Sequence, residues 1–158
     1  MASEEDLSQL ISKKKITISV AESCTGGLLG AAITSVPGSS EYFFGGVVTY
    51  SNDSKENILK VQKSSMMMNG AVSKETAESM ASGVRELFGT DIAISITGIA
   101  GPGGGTDVKP VGLVWMGVST KDGNFAKKFN FKGNRDKIRS SAVDSALRLL
   151  IETINDLG

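Results

Sequence analysis

The run Asp91-Ile-Ala-Ile-Ser-Ile-Thr97 is apolar at most positions rather than at alternate ones. A strand of that kind has no face it can leave in water, so the sheet that contains it must be covered on both sides. The rest of the chain supplies the covering helices. Residues 4–14 place Leu7, Leu10 and Ile11 at helical spacing, and 15–20 follow as a β-branched strand. A helix with Leu28, Leu29, Ala32 and Ile33 on its apolar side comes next, with Thr25 positioned to cap it and Pro37-Gly38 to end it. A second strand is expected over 43–50, then short helices over 53–59 and up to Asn69-Gly70, and a longer one over 73–88. Met66, Met67 and Met68 are read as core or interface filling.

Beyond residue 97 the alternation of strand and helix stops. Strands over 111–120 and 124–131 are joined by Lys121-Asp122-Gly123, a hairpin signal, and a last helix runs over 135–157 with Ile138, Ala142, Ala146, Leu150 and Ile154 along one side. Together these elements predict an α/β fold: a three-layer α/β/α sandwich on a mostly parallel five-stranded sheet, with one strand made antiparallel by the hairpin. At 158 residues, with no linker or repeat, the chain is expected to be one domain over 1–158.

In open sheets of this kind ligands gather at the carboxyl ends of the parallel strands, near the point where strand order reverses. Here those ends deliver Glu22 and Ser23, then Thr49 and Tyr50, then Thr97 and Gly98. The first end carries Val20-Ala-Glu-Ser-Cys-Thr-Gly-Gly27, a strand-to-helix turn that can expose a nucleophile beside free amides, and Ser23 is the first candidate. The chain contains no histidine and a single cysteine, which excludes Ser-His-Asp and Cys-His catalysis, the usual zinc sites and an internal disulfide. An activated serine must then use a lysine, a tyrosine, a carboxylate or a water held by one of them.

Lys55, five residues after Tyr50, falls in the first turn of the next helix, where the helix dipole favours the neutral amine. It is a candidate base, or else a solvated lysine. Tyr50 can relay a proton, orient Lys55 or close the core, and Thr97 can donate to an oxyanion or cap its loop. Glu22 can meet a ribose hydroxyl or pair with Lys55, whereas Cys24 has no imidazole to ionise it and reads as a small buried residue. Gly98 to Pro110 concentrates glycines, Gly98 and Gly101 among them, whose amides can approach a phosphate; the alternative is a mobile loop. Arg135 opens the last helix and Arg139 lies one turn on, so the two compete for the same anion.

Charge narrows the partners further. Acidic and basic residues number 17 each and the only basic run is Lys13-Lys-Lys15, so nucleic acid is not expected as a ligand and a small molecule is. The acidic start Met1-Ala-Ser-Glu-Glu-Asp is unlike a signal peptide and no apolar run reaches membrane-spanning length, so a cytoplasmic protein is expected.

Several blocks, taken in order along the chain, carry a resemblance: Ala21-Glu-Ser-Cys-Thr-Gly-Gly27, Pro37-Gly-Ser-Ser40, Gly45-Gly46, Tyr50-Ser-Asn52 with Lys55, Gly70-Ala-Val-Ser73, Ser95-Ile-Thr-Gly-Ile-Ala-Gly-Pro-Gly-Gly104 and Lys109-Pro-Val-Gly112. In them the chain resembles the C-terminal domain of the competence-damage-inducible family CinA. Asn134 in Gly133-Asn-Arg135 and Asn69 before Gly70 depart from the family's common Asp and His. The resemblance implies an anticodon-binding-domain-like sandwich, dimers, and hydrolysis of the carboxamide of nicotinamide mononucleotide to nicotinic acid mononucleotide and ammonia. It implies Ser23 as nucleophile, Lys55 as base, Tyr50 and Thr97 in support and Arg135 on the substrate. Glu22, Thr25, Gly26, Gly27, Gly98 and Gly101 complete the expected binding set, with amides near Thr25 to Gly27 on the oxyanion and loop amides on the 5′-phosphate. No metal or organic cofactor is expected. The alternative is a non-catalytic nucleotide-binding module, or an interaction protein of the competence or DNA-damage response.

Overall fold

The structure, a computed structural model, describes residues 3–157; 1–2 and 158, the ends of the expected domain, lie outside the described residues. Five strands form one sheet in the order β2-β1-β3-β4-β5: β1 Ile18–Glu22, β2 Phe43–Val48, β3 Ile92–Gly98, β4 Leu113–Thr120 and β5 Gly123–Asn130. β1 pairs in parallel with both β2 and β3, while β4 runs antiparallel to β3 and β5. Four strands therefore share one direction and β4 alone opposes them, the arrangement expected from the hairpin. β3 is buried along Ile92–Thr97, which is what its unbroken apolar run demands.

Side chains alternate across the sheet and sort the core into two layers. Ile18, Val20, Ile92, Ile94 and Ile96 face α1 (Glu4–Lys14), α2 (Leu28–Thr34) and α6 (Arg135–Asp156). Ala21 and Ala93 face the opposite layer, which holds α3 (Asn52–Leu59), α4 (Lys63–Asn69) and α5 (Lys74–Phe88), and pack there with Leu59, Met66, Met80 and Val84. Small residues on this side let α5 come close. A Cβ on Gly83 would overlap the Leu59 carbonyl oxygen, so the glycine draws α5 tightly onto α3 and fixes where α3 sits.

Three expectations need correction. Thr25 does not cap α2: Gly27, at φ +108°, is the cap residue, and a left-handed backbone there suits only glycine. β1 begins at Ile18, because Lys15 turns into the left-handed region to end α1. Of the three methionines expected to fill core or interface, Met66 packs in the core, while Met67 and Met68 are 80% and 86% exposed on this chain and are not core. A helix turns 100° per residue, so three consecutive side chains cannot share one face. Among the described residues no helix is long and apolar enough to cross a membrane.

Candidate active site

β1 lies between β2 and β3, and its two neighbours are reached through opposite helical layers, so strand order reverses beside its carboxyl end. At that end alternation separates two consecutive side chains. Glu22 points to the α2 layer and Ser23 to the α3 layer. Glu22 is 2% exposed and is consumed by the helix start: Oε1 accepts from Thr25 Oγ1 (2.6 Å), Gly27 N–H (3.2 Å) and Leu29 N–H (2.9 Å), and Oε2 accepts from Gly30 N–H (2.9 Å). A carboxylate thus replaces the missing side-chain cap of α2. The roles expected for Glu22 on a ribose or on Lys55, and for Thr25 on substrate, do not fit this geometry.

Ser23 meets Lys55 instead. Ser51 caps α3 with its hydroxyl on Ser54 N–H (3.0 Å), and one turn later Lys55 is carried inward to 1% exposure. Its Nζ lies 3.0 Å from Ser23 Oγ, 2.7 Å from the Thr49 carbonyl oxygen and 3.3 Å from that of Tyr50. Among the described residues no carboxylate pairs with it. Burial lowers its pKa from 10.5 to about 8, with nearby Cys24 pulling slightly the other way. A neutral amine has two hydrogens and one lone pair. The two carbonyls match the hydrogens, which leaves the lone pair for the Ser23 hydroxyl.

The cleft over this pair measures about 210 Å³ and is lined by Ser23, Cys24, Tyr50, Asn52, Lys55, Ala71, Val72, Thr97, Gly98, Ala100 and Arg135. A larger hollow of about 510 Å³ lies between β5 and the end of α6, with Asp122, Phe125 and Glu152 in its wall, but it holds no nucleophile beside a base. Cys24 is buried, and that burial pushes its thiol up to about 11, so it is a thiol and not a thiolate beside Ser23.

The remaining expected residues divide between cleft and scaffold. Thr97 is at the cleft, with its hydroxyl hydrogen given to the Ala71 carbonyl (2.8 Å), so donation to an oxyanion requires that hydrogen to turn. Tyr50 touches Lys55 only through its backbone carbonyl. Its side chain is 60% exposed and its hydroxyl accepts from Arg135 Nη2 (3.1 Å), so it neither closes the core nor orients Lys55 through its phenol. Arg135 Nη1 also donates to the Gly101 carbonyl (2.7 Å), so Gly101 meets the arginine through its oxygen. Gly98 lines the cleft and is held too close to β4 for a side chain.

The amides of Gly26 and Gly27 are taken, by Ser23 O (3.1 Å) and Glu22 Oε1, and do not face an oxyanion. The amide of Cys24 meets no protein oxygen among the described residues. The far end of the glycine loop is tied down: Thr106 and Lys109 bond each other twice, and Lys109 Nζ donates to Asn69 O (2.6 Å). Arg139 stays away from the cleft mouth and donates to the carbonyls of Cys24 (3.1 Å) and Thr25 (3.3 Å). Sequence reasoning missed Asn52, Ala71 and Val72 as cleft residues, although all three sit in the blocks that carry the resemblance. It also missed the carbonyls that hold Lys55, which have no side-chain signature.

Comparison with known proteins agrees with this architecture. The sequence model of the CinA C-terminal domain matches residues 1–154. A competence-damage inducible protein of Halothermothrix orenii is 54% identical over 147 residues, covering 92% of this chain and 36% of its own length. A CinA-like protein of Endomicrobium trichonymphae is 54% identical over 142 residues, 90% of this chain and 33% of its own. The chain thus spans about a third of the length of the curated relatives it matches. The crystal structure of a competence/damage inducible protein from Agrobacterium tumefaciens superposes with a TM-score of 0.90 at 39% identity, covering 96% of this chain and 94% of that one. One from Enterobacter asburiae gives 0.92 at 28% identity, covering 98% and 99%.

Proposed function

The chain belongs to the CinA C-terminal domain family, and from that membership and the Ser23–Lys55 pair we propose that it is an amidohydrolase acting on the carboxamide of nicotinamide mononucleotide. The observation that carries the reading is a buried lysine without a carboxylate partner, its nitrogen 3.0 Å from a serine hydroxyl at the floor of a cleft. A buried lysine of lowered pKa can take up a proton near neutral pH, and among the described residues this one makes no salt bridge.

In this mechanism neutral Lys55 takes the hydroxyl proton as Ser23 Oγ bonds to the carboxamide carbon, and negative charge collects on the carbonyl oxygen. The Cys24 amide, next to the nucleophile and, among the described residues, free of a protein oxygen, supplies one donor to that charge, and a turned Thr97 hydroxyl supplies a second. The Lys55 ammonium passes its proton to the departing nitrogen, the C–N bond breaks and ammonia leaves. Water then adds to the acyl carbon, giving a proton to Lys55. The C–Oγ bond breaks, the proton returns to Ser23, and the carboxylic acid product ionises. Arg135, with Tyr50 beside it at the cleft mouth, binds the 5′-phosphate and so favours the nucleotide over free nicotinamide.

The test is ammonia release from nicotinamide mononucleotide by the purified chain and by Ser23→Ala. The variant is expected to fold and to release none. Full activity in Ser23→Ala rejects the nucleophile, and calorimetric binding of the mononucleotide with no ammonia from the wild type favours a nucleotide-binding module.

A further inference from the structure

The turn that carries Ser23 is gripped from two sides by opposite charges. Gly26 N–H closes it onto Ser23 O, which makes Cys24 and Thr25 its two central residues. The Glu22 carboxylate collects hydrogen-bond donors within the turn, at Thr25 Oγ1, and just beyond it, at Gly27 N–H. Arg139 collects its acceptors: Nε donates to Cys24 O and Nη2 to Thr25 O. Arg139 is half-buried, and a Cβ on Gly26 would come within 3.2 Å of Nη2, so the turn backbone lies directly on the guanidinium.

Arg135 and Arg139 are one helical turn apart on α6 and reach different targets. Arg135 spans the cleft mouth, whereas both hydrogen bonds of Arg139 end on the peptide units that follow the nucleophile. A fork of N–H groups on two successive carbonyls fixes the Cys24–Thr25 and Thr25–Gly26 peptide planes; the Ser23–Cys24 plane, which carries the Cys24 amide, is closed onto this turn by Gly26 N–H on Ser23 O, so Arg139 holds the nucleophile's peptide through the turn. Among the described residues no carboxylate pairs with Arg139. Its guanidinium is therefore bound to the turn's carbonyls rather than to an acid, and the Glu22 carboxylate lies on the other side of the same turn. Burial dominates the Cys24 thiol and raises it; the Arg139 charge lowers it and the Glu22 charge raises it, so the two charges that hold the turn oppose each other at the residue beside the nucleophile.

We propose that Arg139 is a positioning residue for the nucleophile, locking the Ser23–Gly26 turn through two backbone carbonyls and placing a fixed positive charge behind the site where the oxyanion forms. The proposal rests on the reading of Ser23 as an amide-attacking nucleophile. It differs from phosphate binding, because the guanidinium never touches substrate.

The experiment compares wild type, Arg139→Met and Arg139→Lys in two assays. With nicotinamide mononucleotide, Arg139→Met lowers kcat about 30- to 100-fold, the loss expected when a reacting group is displaced by a fraction of an ångström to about 1 Å, while KM stays within about threefold. The acid limb of the pH profile stays in place, since Lys55 is untouched. Arg139→Lys keeps the charge but not the fork and recovers part of the loss. A kcat within threefold of wild type, or a loss confined to KM, overturns the proposal and leaves the amidase reading standing. The second assay does not depend on turnover. Phenylboronic acid adds the Ser23 oxygen to boron, the proton passing to Lys55, and the resulting anion imitates the tetrahedral intermediate; ¹¹B NMR reads its affinity. Arg139→Met weakens it about tenfold or more, and equal affinity overturns the proposal. Wild type that binds the boronate through Ser23 yet releases no ammonia disproves the substrate reading alone, and the boronate ratio then decides for Arg139. Boronate binding unchanged in Ser23→Ala sinks both. Should Arg139→Met fail to fold by circular dichroism, Arg139→Lys carries both comparisons.

Discussion

Lys55→Met separates the catalytic value of the buried amine from its cost to the fold. In the unfolded chain the amine titrates at its ordinary 10.5, and in the folded protein burial brings it to about 8. The folded state therefore disfavours the ammonium. The penalty is fully present below pH 8 and fades as pH rises towards 10.5. By linkage it amounts to about 3 kcal/mol at pH 7 and about 1.4 kcal/mol at pH 9.5. Methionine carries no such penalty but leaves the Thr49 and Tyr50 carbonyls without their donor, a loss that does not vary with pH. The comparison that isolates the amine is thus the wild type minus the variant at two pH values. Urea unfolding should show the wild type gaining about 2 kcal/mol on Lys55→Met between pH 7 and pH 9.5, roughly 1 M in midpoint for a domain of this size. The same shift leaves about a tenth of the amine neutral at pH 7, some 300-fold more than at the ordinary pKa, so kcat/KM of the wild type should fall with acid through a pKa near 8. Lys55→Met should release no ammonia at either pH. A stability gap that does not change with pH, or that moves in favour of the variant as pH rises, would refute the reasoning.

Two further outcomes follow from single contacts. Arg135→Ala should raise KM for nicotinamide mononucleotide about 10- to 100-fold, the worth of a charge-assisted contact to phosphate, and leave the riboside lacking that phosphate unaffected; parallel kinetics on the two substrates read this directly, and equal losses on both would remove Arg135 from the phosphate. Thr49 Oγ1 is fully buried and, among the described residues, has no hydrogen-bond partner, while the contact to Lys55 is made by the backbone carbonyl of the same residue. Thr49→Val should therefore stabilise the protein by about 1 kcal/mol, seen as a thermal midpoint higher by roughly 2–4 °C, with activity kept within about twofold. A loss of stability would mean that the hydroxyl is satisfied in solution.

Much of the fold is legible because its determinants are local. The apolar run of β3, the hairpin signal at Lys121-Asp122-Gly123 and the helical patterns over 53–59 and 73–88 act through neighbours a few residues away, and the elements they predict are present, the two helices capped by Ser51 and Ser73. The misplacements have equally local causes that composition conceals: Lys15 ends α1 with a left-handed backbone, and Gly27 takes the cap position while Glu22 supplies the capping oxygens from five residues back. In the site, the residue types foretold that any active serine must look to something other than histidine; a strand end named Ser23 as a candidate, and the first turn of the helix after β2 named Lys55.

What no local pattern could decide is which candidates share a space. Glu22 and Ser23 are adjacent in sequence but lie on opposite faces of the sheet, so the carboxylate is lost to the helix and the hydroxyl reaches an amine 32 residues away. Arg135 and Arg139 have the same charge on the same helix, yet only the packing of α6 sends one over the cleft and the other onto the nucleophile turn. The amino-acid order by itself determined the elements, the layering and the absence of imidazole chemistry, because these depend on side-chain period and on composition. The pairing of amine with alcohol, and the burial that leaves that amine partly neutral, came only with tertiary structure, because dehydration and proximity are properties of how the layers close.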